Sequence, residues 1–335
     1  MRTHTERVVL GVLEPFYLGQ QAVTLFFVLS GFVLALPYLS GRQPSYPKFL
    51  ARRYLRLYGP YLVALGLAVA GASRWHGHHG MGVWADNVWS EPIDWKLVLA
   101  HVLFLGNYNW NEYNVVFWSL VFEMRISIIF PLLVALITRV RLRVAFLLAV
   151  ACPLVYRGLV HFRPKAEDTM ETVSYVAVFI FGILLAKYRA AIAAWYAGRS
   201  GGQRALVVAG TAIFYSCSHF LSHLGQVGTL VGAIGFIVIA QNSEVARGFL
   251  NGKIPVFLGR ISYSLYLVHV PLLFALVSLW HTKISRGAMF FLYVGGALLL
   301  GSVFNVLVEE PFIRLSHKFG RGNATSEDVV VPAAV

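Results

Sequence analysis

Charge is what this sequence lacks. Asp, Glu, Lys and Arg make up 13% of its 335 residues, whereas a soluble domain carries roughly a quarter to cover its surface. Cysteine is nearly absent too. Cys152 and Cys217 both lie inside apolar runs, which excludes a secreted disulfide scaffold. There is no phosphate loop or dinucleotide fingerprint, and no heptad run, internal repeat or low-complexity segment. What is abundant is apolar: hydrophobic residues reach 58%, and 24 Phe, 16 Tyr and 8 Trp exclude disorder for the bulk of the chain. The class that remains is all-α, a polytopic transmembrane helical bundle with lipid as its solvent.

A span needs about 20 apolar residues to cross about 30 Å of hydrocarbon. Nine runs qualify: 18–40, 54–73, 116–138, 143–160, 172–188, 205–221, 226–241, 256–280 and 288–310. Leu97 to Leu105 is apolar but too short, and reads as interfacial. The net charge of +13 would point to nucleic acid in a soluble protein, but here it is dispersed among loops, which argues against that partner. Of the 28 Lys and Arg, eighteen fall in one set of alternate loops and nine in the other, with Arg125 inside a span. The richer set is expected to face the cytoplasm, which puts the C-terminus inside and Met1 outside. An outside start is odd, because residues 1–15 hold Arg2, His4, Glu6, Arg7 and Glu14 and neither cross alone nor form a signal peptide. The expected order is a remnant of a first helix and external loop over 1–17, a transmembrane domain over 18–318, and a disordered cytoplasmic tail over 319–335. Gly225, Gly228, Gly232 and Gly235 line one span with small residues that suit close helix contact.

Polar groups inside spans are functional candidates, because burial without a partner is costly. Ser119 and Glu123 are four apart and share a helix face, while Arg125 is about 200° round from Glu123. These two charges therefore need partners on other helices or in a cavity, and both readings stand. Ser262, Tyr266 and His269 form a polar stripe beside Pro271, which removes the helical N–H partner of the Leu267 carbonyl. That kinked helix suits a cavity wall, although a lone histidine such as His269 is more often a hydrogen-bonded core residue than a catalyst. Ser302, Asn305 and Glu309 make a second stripe, ending at Glu309-Glu310-Pro311. Acids at a helix C-terminus oppose the macrodipole, so a local cation is expected, and Arg52, Arg53 and Arg56 are the obvious ones. The same arginines suit lipid headgroups, or the phosphates of a cytoplasmic donor.

Two other signals fail. Gly198-Arg199-Ser200-Gly201-Gly202 matches a nucleophile elbow, but no strand precedes it. His76, His78 and His79 have no acid or cysteine at zinc-ligand spacing, so no metal is assigned.

Five motifs occur in order: Phe26-Phe27-Val28-Leu29-Ser30-Gly31-Phe32; Arg52-Arg53-x-x-Arg56 with Pro60; Trp118-Ser119-Leu120-x-x-Glu123; Gly259-Arg260-x-Ser262-Tyr263-Ser264-x-Tyr266-Leu267-x-His269; and Glu309-Glu310-Pro311-Phe312. Together they resemble the bacterial membrane-bound acyltransferase-3 family, which includes O-antigen and peptidoglycan O-acetylases and macrolide acylases. The resemblance implies one span more than the nine read here, acyl-CoA as co-substrate on the cytoplasmic side with no bound cofactor, and transfer to a hydroxyl of a carbohydrate or lipid-linked acceptor. The family carries an arginine and then a histidine on a first helix upstream of the Phe-Phe motif. Here His4 is the sole histidine in that stretch, so the chain looks as if it starts after most of that helix. Thr24 stands where many members carry an acid. The carried-over assignments are His4 and Glu123 for catalysis, and Arg52, Arg53 and Arg56 for the donor. Ser30, Trp118, Ser119, Arg125, Ser262, Tyr266, His269 and Glu309 line the cavity. A membrane transporter or flippase for an anionic or sugar-linked solute, or an inactive remnant, are the alternative readings.

Overall fold

In hydrocarbon every backbone N–H and C=O must be satisfied inside the protein, and a helix does this within one segment. The structure, a computed structural model, follows that rule over the residues it describes: 19–77, 88–103, 109–162, 167–216, 225–280 and 283–318. Among these there are thirteen α-helices and no strand: α1 (Gly19–Leu39), α2 (Tyr46–Trp75), α3 (Trp95–Leu103), α4 (Phe117–Arg139), α5 (Leu142–Phe162), α6 (Glu167–Lys187), α7 (Arg189–Ala197), α8 (Gly201–Ser216), α9 (Gly225–Asn242), α10 (Glu244–Leu250), α11 (Lys253–Trp280), α12 (Arg286–Phe304) and α13 (Glu310–Lys318), with a π-helical turn at Asn305–Glu309 joining the last two. Large apolar side chains point outward from them, Leu132 and Phe291 being 74% and 75% exposed. A water-facing surface of that kind would be costly; a lipid-facing one is expected.

Eight of the nine expected spans are helices long and apolar enough to cross: α1, α2, α4, α5, α6, α9, α11, and α12 continued through α13. The run 205–221 is described only in part. Its described helix, α8, has 16 residues, about 24 Å at 1.5 Å per residue, and residues 217–221 lie outside the described ones. The last span is longer than expected, because the helix runs on past residue 310 to Lys318. Short α3, nine residues long, agrees with the reading of Leu97 to Leu105 as too short to cross, residues 104 and 105 lying outside the described ones.

Local signals explain where helices begin. Ser243 and Ser285 cap α10 and α12 by accepting from Ala246 N and Ala288 N. Pro47 follows Ser45 in the first turn of α2, where a missing N–H costs nothing. The serine that mimicked a nucleophile elbow has a structural use. Ser200 Oγ accepts from Gln203 N (3.3 Å), and Gln203 Oε1 accepts from Ser200 N (3.1 Å), a reciprocal capping box for α8.

The helices divide into two compact units interleaved in sequence, Met1–Pro44 with Ile129–Gly252 and Ser45–Ile128 with Lys253–Val335, so that the boundary falls inside α4. In the first unit α1 and α6 meet through glycines. A Cβ on Gly182 would lie 2.2 Å from the Val28 carbonyl oxygen, and one on Gly31 would lie 2.5 Å from that of Phe179. Phe27 packs beside this contact, tilted against Phe179 and edge-on to Tyr175, at 5.4 and 5.3 Å between ring centres. The glycine stripe read on α9 serves the same purpose, with Gly232 against the Tyr215 backbone and Gly235 against Thr211 of α8. Lys187 Nζ donates to Ile137 O and Val140 O, ending α4. In the second unit α2, the first half of α4 and α11 enclose a core of Tyr61, Ala64, Ala68, Phe117, Leu120, Val121, Leu267 and Phe274. Residues 1–18 and 319–335, the expected N-terminal remnant and tail, lie outside the described residues, as do His4, His78 and His79.

Gly182→Ala should therefore force α1 and α6 apart and destabilise the protein by about 1–3 kcal/mol. Gly158→Ala in α5, where an added Cβ meets nothing within 4 Å, should be neutral or slightly stabilising. Thermal unfolding midpoints in nanodiscs measure both. Equal midpoints for the two variants would contradict the close contact.

Candidate functional site

The three arginines at the start of α2 are not equivalent. Arg52 and Arg56 are four apart and exposed, whereas Arg53 is about 100° round the helix and turns inward. Its guanidinium pairs with Glu123 of α4, the side chains being 12% and 0% exposed. Arg53 Nε also donates to Ser127 Oγ (3.3 Å), and Ser127 Oγ donates to Glu123 O (2.7 Å). The expectation that Glu123 needs a partner on another helix is met. The expectation that these arginines answer Glu309 and Glu310 is not.

Those two acids find other partners because the helix does not end there. The π turn over Asn305–Glu309 carries it into α13, and the Glu310 N–H bonds back to Asn305 O, so Glu310 is not at a helix end. Glu310 accepts from Arg314 four residues on, at 2.8 Å. Glu309 is buried, and accepts from Ser264 Oγ of α11 (2.5 Å) and from Asn305 Nδ2 (3.0 Å). Asn305 Nδ2 also reaches Arg260 O at 3.2 Å. This network joins α11 to the π turn without a cation among the described residues.

One turn from Glu123, Ser119 meets α11. Its hydroxyl lies 2.7 Å from that of Tyr266, and both reach the Val116 carbonyl, at 3.1 and 3.2 Å. His269 stands 5.9 Å from the Tyr266 ring, centroid to centroid. Its Nδ1 lies 2.8 Å from Tyr266 O and 3.1 Å from Leu265 O. A carbonyl only accepts, so Nδ1 carries the proton and Nε2 is the basic nitrogen. Tyr263 Oη donates to Leu57 O of α2 (2.7 Å). Helices α2, α4 and α11 are thus tied by Arg53–Glu123, Ser119–Tyr266 and Tyr263–Leu57.

Other expected residues are elsewhere. Ser262 is exposed and donates to Gly259 O in its own turn, so it does not share the Tyr266 position. Trp118 packs edge-on against Phe122, and the Arg125 guanidinium lies 5.7 Å from the centre of the same ring, on a face other than that of Ser119 and Glu123. Ser30 is buried in α1, in the other unit. Sequence reasoning passed over Ser127, Tyr263, Ser264 and Asn114. Ser127 could have been found at four residues from Glu123, and Tyr263 and Ser264 lie inside a quoted motif. Asn114 belongs to a loop with no periodicity to reveal it.

Residues 88–103 and 109–116 pack against α2 and α11. Trp89 is buried with φ +54°, left-handed backbone that costs about 1–3 kcal/mol for a bulky residue. Its surroundings over-determine it. Trp89 N donates to Glu112 O (2.8 Å) and Nε1 to Tyr113 O (3.0 Å), while the ring lies 5.7 Å from Phe274 and packs where Gly71 has no side chain. The buried Glu112 carboxylate accepts from Ser90 Oγ and Glu91 N, at 2.9 and 3.1 Å. Tyr58 and Tyr61 of α2 donate to Val102 O and His101 O, seating α3. His101 is fully buried, with Nδ1 2.9 Å from Leu97 O and its ring 5.1 Å from Tyr113.

Burial pushes the His101 imidazole down from 6.5 to about 4. Between those values the unfolded chain binds a proton that the folded chain refuses, so stability should fall as pH drops from about 6.5 to about 4. His101→Gln should flatten that slope, whatever it does to stability at pH 7. Unfolding midpoints of both proteins at pH 7, 6 and 5 test this, and parallel profiles would contradict it.

The family model for an acyltransferase domain matches residues 3–306. Among curated proteins, the exopolysaccharide production protein ExoZ of Rhizobium meliloti (strain 1021) is 27% identical over 323 residues, covering 89% of this chain and 91% of its own. The acyltransferase MdmB of Streptomyces mycarofaciens is 23% identical, over 89% of this chain and 82% of its own. The O-acetyltransferase PaAT-1 of Phomopsis amygdali is 24% identical, over 79% of this chain and 64% of its own. No solved structure matches significantly. A family match that takes in every span but the end of the last, on a helical fold whose polar residues gather between apolar helices, makes this chain a member of the acyltransferase-3 family, a transferase of acyl groups other than aminoacyl groups.

Proposed function

We propose that the protein is an integral membrane O-acyltransferase that moves an acyl group, acetyl in the first instance, from acyl-CoA to a hydroxyl of a cell-surface carbohydrate or related acceptor. The observation that carries this reading is the division of the arginine cluster. Arg53 is committed inward to Glu123, while Arg52 and Arg56 stay exposed on one face at the start of a membrane helix. Two guanidiniums one turn apart suit the phosphates of CoA. The names of two relatives, an exopolysaccharide production protein and an O-acetyltransferase, agree with the acceptor class and the acyl group.

In this reading Arg52 and Arg56 hold the CoA phosphates on the cytoplasmic side of a bacterial inner membrane, with the C-terminus on the same side. The pantetheine arm runs toward Ser119, Tyr266 and His269. Glu123, paired with Arg53, stands beside that path. His4, which lies outside the described residues, removes the proton of the acceptor hydroxyl. The oxygen attacks the thioester carbonyl, the C–S bond breaks, and the CoA thiolate leaves and takes up a proton.

The test uses the protein in nanodiscs with envelope extract of the source strain as acceptor. Acetyl-CoA should be consumed and label should appear in carbohydrate. The pair Arg52→Ala and Arg56→Ala should raise KM for acetyl-CoA by about tenfold or more, and leave KM for S-acetylpantetheine, which lacks the nucleotide phosphates, unchanged. His4→Ala should cost about 10²–10⁴-fold in kcat without loss of fold. Equal effects on both donors would overturn the phosphate assignment. Solute movement with intact acetyl-CoA would favour a transporter.

A further inference from the structure

Pro271 lies inside α11 and has no N–H, so the Leu267 carbonyl four residues earlier loses its helical donor. Leu267 is fully buried, and no water reaches it to compensate. The carbonyl is not orphaned. Asn114, also fully buried, donates to it from Nδ2 at 2.9 Å across 153 positions of sequence. The other end of Asn114 is held as firmly. Its N–H donates to Trp110 O (3.2 Å), its carbonyl accepts from Phe117 N (3.0 Å), and Oδ1 accepts from Val116 N (3.4 Å). It therefore sits at the entrance of α4, and the residues leading into α4 hold α11 by the carbonyl that Pro271 frees.

The next contact along the chain gives this grip its meaning. Val116, two residues on, offers the carbonyl that both Ser119 and Tyr266 reach. Adjacent residues of α11, Tyr266 by its hydroxyl and Leu267 by its carbonyl, are thus both anchored to residues 114–119. We infer that Asn114 is a positioning residue for acyl transfer: by holding the carbonyl that Pro271 frees, it fixes α11 against α4 at the spacing that brings the Tyr266 and Ser119 hydroxyls together. The inference rests on Ser119 and Tyr266 lying on the donor path.

Asn114→Ala and the double variant Asn114→Ala with Pro271→Ala separate positioning from mere satisfaction of a carbonyl. Alanine at 271 returns an N–H to the Leu267 carbonyl, so the double variant removes Asn114 without leaving a buried orphan and stays foldable even if the single variant does not. As a positioning residue, Asn114→Ala lowers kcat for acetyl-CoA about ten- to a hundredfold with little change in KM, and the double variant regains thermal stability but not kcat. Recovery of kcat with stability in the double variant, or unchanged kcat in a folded Asn114→Ala protein, overturns the proposal. A second readout needs no turnover. Tyr266→Phe should lower the unfolding midpoint of the wild type and leave that of the double variant unmoved. An equal drop in both backgrounds also overturns the proposal. A wild type that fails to consume acetyl-CoA while still showing this coupling would overturn the donor reading and the role in transfer, and leave the helix spacing in place.

Discussion

One buried ion pair governs the second unit. Arg53 and Glu123 have traded water for each other, and charges so buried are worth little to stability as a pair but are costly to separate. The pair therefore acts as a register pin. With Ser127 bridging Arg53 Nε and the Glu123 carbonyl, it fixes the rotation of α2 and of α4 about their axes. Everything else follows from those rotations. Arg52 and Arg56 turn outward, Ser119 turns toward α11, and Trp118 and Arg125 fall on another face of α4.

A second constraint is the absence of water around irregular backbone. Pro271 and the π turn at Asn305–Glu309 both disturb the regular helical ladder, and such disturbance in a membrane is tolerated only where the protein supplies partners. Asn114 answers the first. Asn305, Ser264 and Glu309 satisfy one another around the second, with the Arg260 carbonyl drawn in. Both disturbed segments belong to the unit that carries the Arg53–Glu123 pair, and a π turn inside a helix is frequently a functional feature. The helices of the first unit, with Pro37, Pro131 and Pro153 inside them, are joined through glycine contacts, apolar packing and the Lys187 hydrogen bonds to the end of α4.

Much of this was legible in the amino-acid order, for a physical reason. Hydrocarbon demands long apolar runs, so eight of the nine spans declare themselves as helices long enough to cross, and 205–221 is described only as far as Ser216. Burial demands partners, so Glu123 had to pair across helices and the Leu267 carbonyl had to find a donor. Which partner answered was not legible. Arg53 was read with Arg52 and Arg56 as one cluster aimed at Glu309 and Glu310, yet a one-residue step turns it to a different face. Glu310 looked like a helix end because Pro311 follows, but the π turn over Asn305–Glu309 carries the helix on through Pro311 to Lys318. Asn114 gave no signal, since a loop residue has neither period nor motif until the fold brings Leu267 to it.

A double-mutant cycle on Arg53→Met and Glu123→Met tests the central claim directly, read as unfolding free energy in nanodiscs. Each single variant leaves a buried charge without its partner, and is predicted to lose about 3–5 kcal/mol. The double variant, with apolar side chains of similar length, is predicted to recover most of that loss while Tyr266 and Ser119 lose their fixed spacing and acyl transfer stays impaired. Single variants as stable as the wild type, or losses that simply add in the double variant, would contradict a pair that pins the register of α2 and α4.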